Sequence, residues 1–216
     1  MNNWSLVLKN LNFPYDIIKL DRGDTILFDK VSLVYIGLDG AVSISKRYLS
    51  NRLVTFCFIN LNNIIFSSKN NFNYYLEAKA FSESHLMIIS TEDFLQYKKK
   101  YVDIFILEIE SLRIKLEQME LFASLLYHKS LKNRFLNFLL IMCKNFGIVY
   151  PFGITISINI SHLDISNIIG SSRIAVTRLI NQLKKKLIMI FKQKITIYNP
   201  VYLTYCLTSD KYFLSI

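Results

Sequence analysis

The stretch His162-Leu163-Asp164-Ile165-Ser166-Asn167-Ile168-Ile169-Gly170-Ser171-Ser172-Arg173-Ile174-Ala175-Val176-Thr177-Arg178-Leu179-Ile180-Asn181 reads as two helices joined by a tight turn. A helix-turn-helix needs a small residue where the helices cross, Gly in the turn, and apolar residues that lock the second helix onto the first. Ser166, Gly170 and the set Ile165, Ile169, Val176 and Leu179 meet those demands. Ser171 or Ser172 can cap the second helix, leaving its first backbone amides for phosphate. On that helix Arg173, Ile174, Thr177 and Arg178 share a face. Two arginines there can take guanine bidentately, Ile174 can meet a thymine methyl, and Thr177 can bond a base or a phosphate. An ordinary helix pair with solvated arginines fits the same residues, so the flanks decide.

On the N-terminal side, Ile154, Ile156, Ile158 and Ile160 alternate with Thr155, Ser157 and Asn159, which predicts a half-buried strand over 154–160. A helix is expected before it, from Arg134 to Phe146 and closed by Gly147. On the C-terminal side, Leu187 to Phe191, a Lys192-Gln193-Lys194 turn and Ile195 to Tyr198 form a small hairpin that Pro200 ends. Strand, two helices and hairpin make a winged helix-turn-helix, whose wing lysines Lys192 and Lys194 can reach DNA phosphates.

Charge supports the same placement. The chain has 216 residues and a formal charge of +10. Residues 1–127 hold 14 Lys/Arg against 14 Asp/Glu, whereas 128–216 hold 12 Lys/Arg against only Asp164 and Asp210. All of the excess lies with the helix-turn-helix, as expected where a neutral module is joined to one that contacts a polyanion.

From Tyr15 to Phe94 the pattern is different. Strand-length apolar stretches at Ile17-Ile18, 26–28, 33–38, 41–45, 53–59, 64–66 and 86–89 alternate with turns such as 21–24, Asp39-Gly40 and Asn70-Asn71. Such spacing predicts an all-β sandwich or barrel, with Asp39-Gly40 as the best hairpin signal. After Tyr97 the period lengthens. Phe105, Ile109, Leu112, Leu116, Met119, Ala123 and Leu126 recur at alternating steps of four and three, an a/d seam along one helix of about 25 residues. A second apolar line, Leu107, Ile114, Leu121 and Leu125, can pack on the barrel. Two apolar faces on one helix predict a homodimer, since one face would otherwise stay wet. The resulting domains are 1–100, a β-barrel; 101–129, a dimerisation helix; and 130–216, a winged helix-turn-helix.

The segment Ile169 to Leu179 resembles the recognition segment of the CRP/FNR superfamily of transcription regulators. Arg134 to Gly147 (RFLNFLLIMCKNFG) and Leu187 to Pro200 (LIMIFKQKITIYNP) resemble its nitrogen-control branch in particular. The likeness is close over residues 128–205 and recognisable at Leu33 to Val42 and Ala78 to Ile89. It implies an α+β protein: a cyclic-nucleotide-binding-type β-barrel, a long dimerisation helix and a winged helix-turn-helix. It also implies a homodimer on palindromic double-stranded DNA with half-sites like GTA and TAC, recruiting or blocking RNA polymerase at nitrogen-related genes. That branch occurs in cyanobacteria and plastids, so the plastid stroma is the expected location and the bacterial cytoplasm the alternative. Codon bias agrees, since Ile, Asn, Lys, Phe and Tyr abound as in AT-rich organelle genomes.

The resemblance further implies an effector, 2-oxoglutarate in the nitrogen-control branch and cyclic AMP in the catabolite branch. The sequence departs from both. Ile64 to Leu76 (IIFSSKNNFNYYL) is shorter than the family's anion-binding loop, lacks its Phe-Gly turn and contains no Arg, leaving Lys69 alone. A buried dianion needs bidentate cations or clustered amides. Lys115 stands where the nitrogen-control family has an effector-contacting Arg, and Glu120 matches its Glu. Lys keeps the charge but loses the fork. These two are the effector-binding candidates, and 2-oxoglutarate is expected to bind weakly or not at all.

Other classes find little support. No apolar run approaches bilayer length, Phe135 to Cys143 being the longest, so no membrane partner is expected. The N-terminus has no leader-like pattern, and three distant cysteines, Cys57, Cys143 and Cys206, suit a reducing compartment. His85, His128 and His162 are isolated from other ligands, so no metal site or cofactor is expected. An enzyme using the barrel as a cupin-type site would need a metal triad, and no nucleophile or phosphate-loop motif is present. A metabolite-binding sensor whose barrel is the working part is the remaining alternative to a DNA-binding regulator.

Overall fold

The computed structural model describes residues 4, 14–28, 32–59, 63–67, 73–184, 188–191 and 194–208, with only the backbone described at 188–191 and 206–208. The chain divides into two compact units, residues 1–120 and 121–216.

In the first unit, eight strands make two antiparallel sheets. One has the order β1 (Asp16–Leu20), β8 (Ser84–Ser90), β3 (Leu33–Asp39), β6 (Ile64–Phe66); the other β2 (Thr25–Leu27), β7 (Tyr74–Ala80), β4 (Val42–Tyr48), β5 (Leu53–Ile59). Strand β3 shows why they stack. Its Tyr35 packs with Leu20, Ile44, Ile59 and Leu86 between the sheets, while Val34 and Ile36 pack with Trp4, Phe94, Ile104 and Leu107 on the outer side. Both faces are covered, which is why Leu33 to Leu38 reads as a continuous apolar run. Full burial of a side chain such as Ile36 contributes about 1.5–3 kcal/mol.

Asp39-Gly40 corrects one expectation. Gly40 has φ +79°, and a Cβ there would stand 2.1 Å from Ser84 Oγ, so the glycine is required. The turn nevertheless joins no hairpin, because β3 pairs with β6 and β8 while β4 pairs with β5 and β7. It carries the chain from one sheet to the other. The hairpin that does form is β4–β5, turning at Asn51 with φ 60°. Strand β7 carries no clear strand signal in the sequence, because Glu77 and Lys79 interrupt its apolar pattern. Glu77 is buried and held by Arg47 of β4 through Nη2–Oε1 at 2.8 Å and a second bond from Nε. Hydrogen bonding to Glu77 holds the Arg47 guanidinium above its usual range.

The helical region begins earlier than Tyr97. Helix α1 (Thr91–Lys100) is capped by Ser90, whose Oγ accepts from the Asp93 amide at 3.0 Å, so Phe94 lies in a helix and not in a strand. After an extended Tyr101, helix α2 (Val102–Tyr127) runs for 26 residues. Its Ser111 Oγ accepts the Ile64 amide at 2.6 Å and its Gln118 Oε1 the Phe58 amide at 2.9 Å. These bonds satisfy donors on β6 and β5, the edge strands of the two sheets. The opposite side of α2 is wet in the single chain. Phe105, Ile109, Leu112, Leu116, Met119 and Leu126 are each 41–58% exposed, and Ala123 is exposed as well, whereas Leu107 and Leu125 are buried.

In the second unit, helix α3 (Leu131–Phe146) packs on strand β10 (Gly153–Ile156) and on helix α6 (Pro200–Thr208). Helix α3 starts three residues before Arg134. Gly147 does close it, but with φ −80°, outside the left-handed region; its role is close approach, since a Cβ would lie 2.3 Å from the Cys143 carbonyl. The strand expected over 154–160 stops at Ile156, where its partner strand begins at Gly147; the Ser157 amide makes one more bond in the same register, to the carbonyl of Phe146, the last residue of α3. Ile158 and Ile160 are buried all the same, which is what their alternation reported. An extra strand, β9 (Gly147–Tyr150), pairs with β10. Helices α4 (His162–Ile168) and α5 (Arg173–Lys184) follow, then β11 (Ile188–Phe191) and β12 (Lys194–Ile197), giving a sheet of order β11-β12-β10-β9. Lys194 is the first residue of β12 and not part of the turn. Pro200 is the first residue of α6, capped by Asn199 Oδ1 on the Tyr202 amide at 2.9 Å, so it starts a helix as well as ending the hairpin. Among the described residues no helix is long and apolar enough to cross a membrane.

Candidate nucleic-acid interface

Helix α4 opens with a capping box: Ser161 Oγ accepts the Asp164 amide at 3.1 Å, and the Asp164 carboxylate accepts the Ser161 amide at 3.3 Å. Ser166, buried at the expected crossing, donates its hydroxyl to the Leu163 carbonyl at 2.7 Å and so hides its polarity. Gly170 has φ +62°, and its turn is closed by the Ser171 amide on the Ser166 carbonyl at 2.8 Å. A Cβ at Gly170 would meet nothing nearer than Arg134 Nη1 at 3.4 Å, so the backbone angle selects glycine there and not crowding.

Of the two candidate caps, Ser172 serves: its Oγ accepts the Ala175 amide at 3.2 Å, while Ser171 is half-buried in the turn. Val176, Ile180 and Leu183 are buried along the inner side of α5, with Leu179 half-buried beside them. The outer side carries Arg173 and Arg178, both exposed, Ile174 at 66% exposure and a half-buried Thr177. An isoleucine presented to water beside two arginines contributes little to the core of the chain. Lys194 is exposed at the start of β12, and Lys192 lies outside the described residues.

Two residues that sequence reasoning passed over complete the motif. Arg134 Nη1 donates to the Ile169 and Gly170 carbonyls, at 2.8 and 3.1 Å, bracing the turn from α3. His162 Nδ1 lies 2.9 Å from Thr177 Oγ1. No short-range pattern could reveal either, since the partners are 35 and 15 positions apart in the chain.

The effector candidates are not brought together within the chain. Lys115 is half-buried on the barrel side of α2, whereas Glu120 is exposed, and no ion pair joins them. Lys115 lies within electrostatic reach of Cys57 on β5. Burial pushes the Cys57 thiol up to about 12, and the Lys115 charge opposes that rise. Lys69 lies outside the described residues. Among the described residues no cluster of His, Cys, Asp and Glu could hold a metal ion; His85 is bound through Nδ1 to the Asp39 carboxylate at 2.9 Å.

Residues 133–205 match the Crp-like helix-turn-helix domain family. The global nitrogen regulator of Synechocystis sp. is 34% identical over 199 residues, which cover 88% of this chain and 88% of that protein. The HTH-type transcriptional regulator ycf28 of Porphyra purpurea is 26% identical over 212 residues, covering 94% of this chain and 86% of its own. Among solved structures, CooA of Carboxydothermus hydrogenoformans matches with a TM-score of 0.73 at 15% identity, over 95% of this chain and 91% of that one. The global regulator CLP of Xanthomonas campestris matches with a TM-score of 0.72 at 16% identity, over 90% and 99%. At such identities the two structures speak for the fold alone.

Proposed function

The chain belongs to the global nitrogen regulators, CRP-type DNA-binding transcription regulators, and from that premise we propose that it controls nitrogen-related genes as a homodimer on palindromic sites. Arg173 and Arg178 read guanine in each half-site, Ile174 contacts a thymine methyl, and Ser171, Ser172, Lys192 and Lys194 contact the backbone. The observation that carries this reading is the outer side of α5, where the exposed Ile174 stands beside the exposed Arg173 and Arg178 on a helix capped by Ser172.

The dimer is made by α2, whose exposed seam repeats at a/d spacing along the helix. Two copies of a helix-turn-helix related by that axis can meet two successive major grooves, which is what a palindromic site offers. RNA polymerase is the further partner, and the plastid stroma, or otherwise a bacterial cytoplasm, is the location. The relatives regulate transcription and offer no enzymatic precedent; Lys115 and Glu120 remain the effector candidates.

Binding-site selection from random DNA at fixed salt tests the reading. Enrichment of a palindrome with guanine at the arginine positions supports it. Salt-sensitive binding without any enriched sequence, or none at all, would leave a barrel-based metabolite sensor as the better account.

A further inference from the structure

Helix α2 meets its barrel through buried polar side chains as well as apolar ones. Glu108, Ser111 and Gln118 are only 7%, 1% and 4% exposed. The Glu108 carboxylate pairs with the ammonium of Lys98 on α1. Ser111 Oγ accepts the Ile64 amide of β6 at 2.6 Å, and Gln118 Oε1 accepts the Phe58 amide of β5 at 2.9 Å. A backbone amide only donates, so both side-chain oxygens are acceptors by necessity.

Ser111 and Gln118 are seven residues apart, which places them about two turns apart and within about 20° of each other around the helix. Between them they hold one edge strand of each sheet. On the same side Ile104 and Leu107 pack with Trp4, Val34 and Phe94, contacts that have no direction and tolerate a small rotation. A hydrogen bond tolerates much less. Sliding α2 by one turn would carry both oxygens about 5.4 Å from their donors, and turning it by one residue would swing them about 100° away. The seam residues Leu112 and Met119 directly follow Ser111 and Gln118, so they lie about 100° round the helix from them. Whatever fixes Ser111 and Gln118 on the barrel therefore fixes where the seam points.

We propose that Ser111 and Gln118 are positioning residues of the homodimer: by accepting one edge amide from each sheet, they set the rotation and height of α2 on its own barrel and so decide which residues of α2 face the second copy. Buried polar groups serve the same end in coiled coils, where one of them fixes register at some expense of stability. The inference rests on the dimer made by α2 and names what aligns it.

The experiment is cysteine cross-linking of the full chain by copper phenanthroline oxidation, with the unaltered chain as the blank for its native cysteines. Leu116→Cys, in the seam, is compared with Glu117→Cys, one position round the helix, each alone and combined with Ser111→Ala/Gln118→Met. Met has about the length of Gln without the amide oxygen. Leu116→Cys should give the linked dimer and Glu117→Cys should not. In the presence of Ser111→Ala/Gln118→Met the chain should still sediment as a dimer, while the ratio of linking at 116 to linking at 117 falls roughly tenfold, as expected when two directional bonds no longer select one rotation. Gln118→Glu in place of Gln118→Met, with a carboxylate that can still accept the Phe58 amide, should restore most of the ratio. If the Ser111→Ala/Gln118→Met chain does not fold, Ser111→Ala and Gln118→Met alone decide by the same ratio. An unchanged ratio in a folded dimer overturns the proposal alone, since apolar packing would then set the rotation. If neither cysteine links and the unaltered chain sediments as a monomer, the α2 dimer falls and this proposal with it.

Discussion

Arg134 Nη1 donates to the Ile169 carbonyl at 2.8 Å, so a cation on α3 holds the chain where α4 ends and the turn to α5 begins. The last carbonyls of a helix have no partner within it, and a positive charge beside them is favourable. Arg134→Ala should therefore destabilise the second unit by about 1.5–3 kcal/mol, the range for a charged hydrogen bond. It should also weaken specific DNA binding more than non-specific binding, because α5 is no longer fixed against α4. Thermal unfolding and binding to specific and random duplexes measure the two effects; Arg134→Lys, which keeps the charge on a side chain one bond shorter, should fall between.

The seam of α2 offers a separate test. Leu112 and Leu116 are 44% and 58% exposed in the single chain, so glutamate at both positions leaves the packing within one chain intact. In a dimer the same carboxylates would be buried without partners, at a cost of several kcal/mol, roughly, after relaxation. Sedimentation should report a folded monomer for the double variant and a dimer for the unaltered chain. A variant that stayed dimeric would place the interface elsewhere.

How far the sequence could be read depended on the distance over which each signal acts. The α2 seam and the α5 face were legible because a helix repeats within four residues, and Gly170 because a left-handed turn is a property of one residue. Asp39-Gly40 shows the limit: its dipeptide specifies a turn with positive φ, but strand pairing depends on residues 84–90 and 53–59, far along the chain. Strand β7 was obscured by Glu77, whose burial makes sense only with Arg47 thirty positions away. Helix α6 was obscured because Pro200 serves both as a break and as a first helical residue. In the candidate site, the exposed face of α5 was legible and the contacts of Arg134 and His162 were not, since each acts across the tertiary fold.

The effector question turns on Lys115. A lone ammonium on the barrel side of α2, without a bidentate partner, is a poor receptor for a dicarboxylate. Calorimetry with millimolar 2-oxoglutarate should give no binding heat, and DNA affinity should be unchanged by the ligand. A clear heat that disappears in Lys115→Ala or Glu120→Ala would restore an effector mechanism.

The cysteines should be quiet. Burial pushes the Cys57 thiol up to about 12 and the Cys143 thiol up to about 11, so at pH 8 the folded chain holds both as unreactive thiols. An unfolded thiol ionises near pH 8.5, so between that value and 11 to 12 the unfolded state releases protons that the folded state keeps, and stability falls as pH rises through that window. Iodoacetamide at pH 8 should spare both residues in the native protein and modify both in urea, with peptide mass mapping as the readout. Rapid native labelling of Cys57 would mean that β5 is open to solvent.

The division of labour between α5 and the wing can be resolved by comparing arginine with lysine variants. Arg173 and Arg178 are exposed on one side of a helix fixed by Val176, Ile180 and Leu183, a rigid placement that suits bidentate bonds to guanine O6 and N7. Arg173→Ala or Arg178→Ala should therefore cost about 1–3 kcal/mol per half-site on the selected sequence and relax preference at one position. Lys194, exposed at the start of β12, has a point charge and no fork, which suits phosphate. Lys194→Ala should weaken all sequences alike and reduce the slope of log affinity against log salt by about one charge per subunit. Fluorescence anisotropy on selected and scrambled duplexes across a salt series reports both quantities at once. If the arginine variants instead lost affinity equally on both duplexes, those residues would be backbone clamps, and base reading would fall to Ile174 and Thr177.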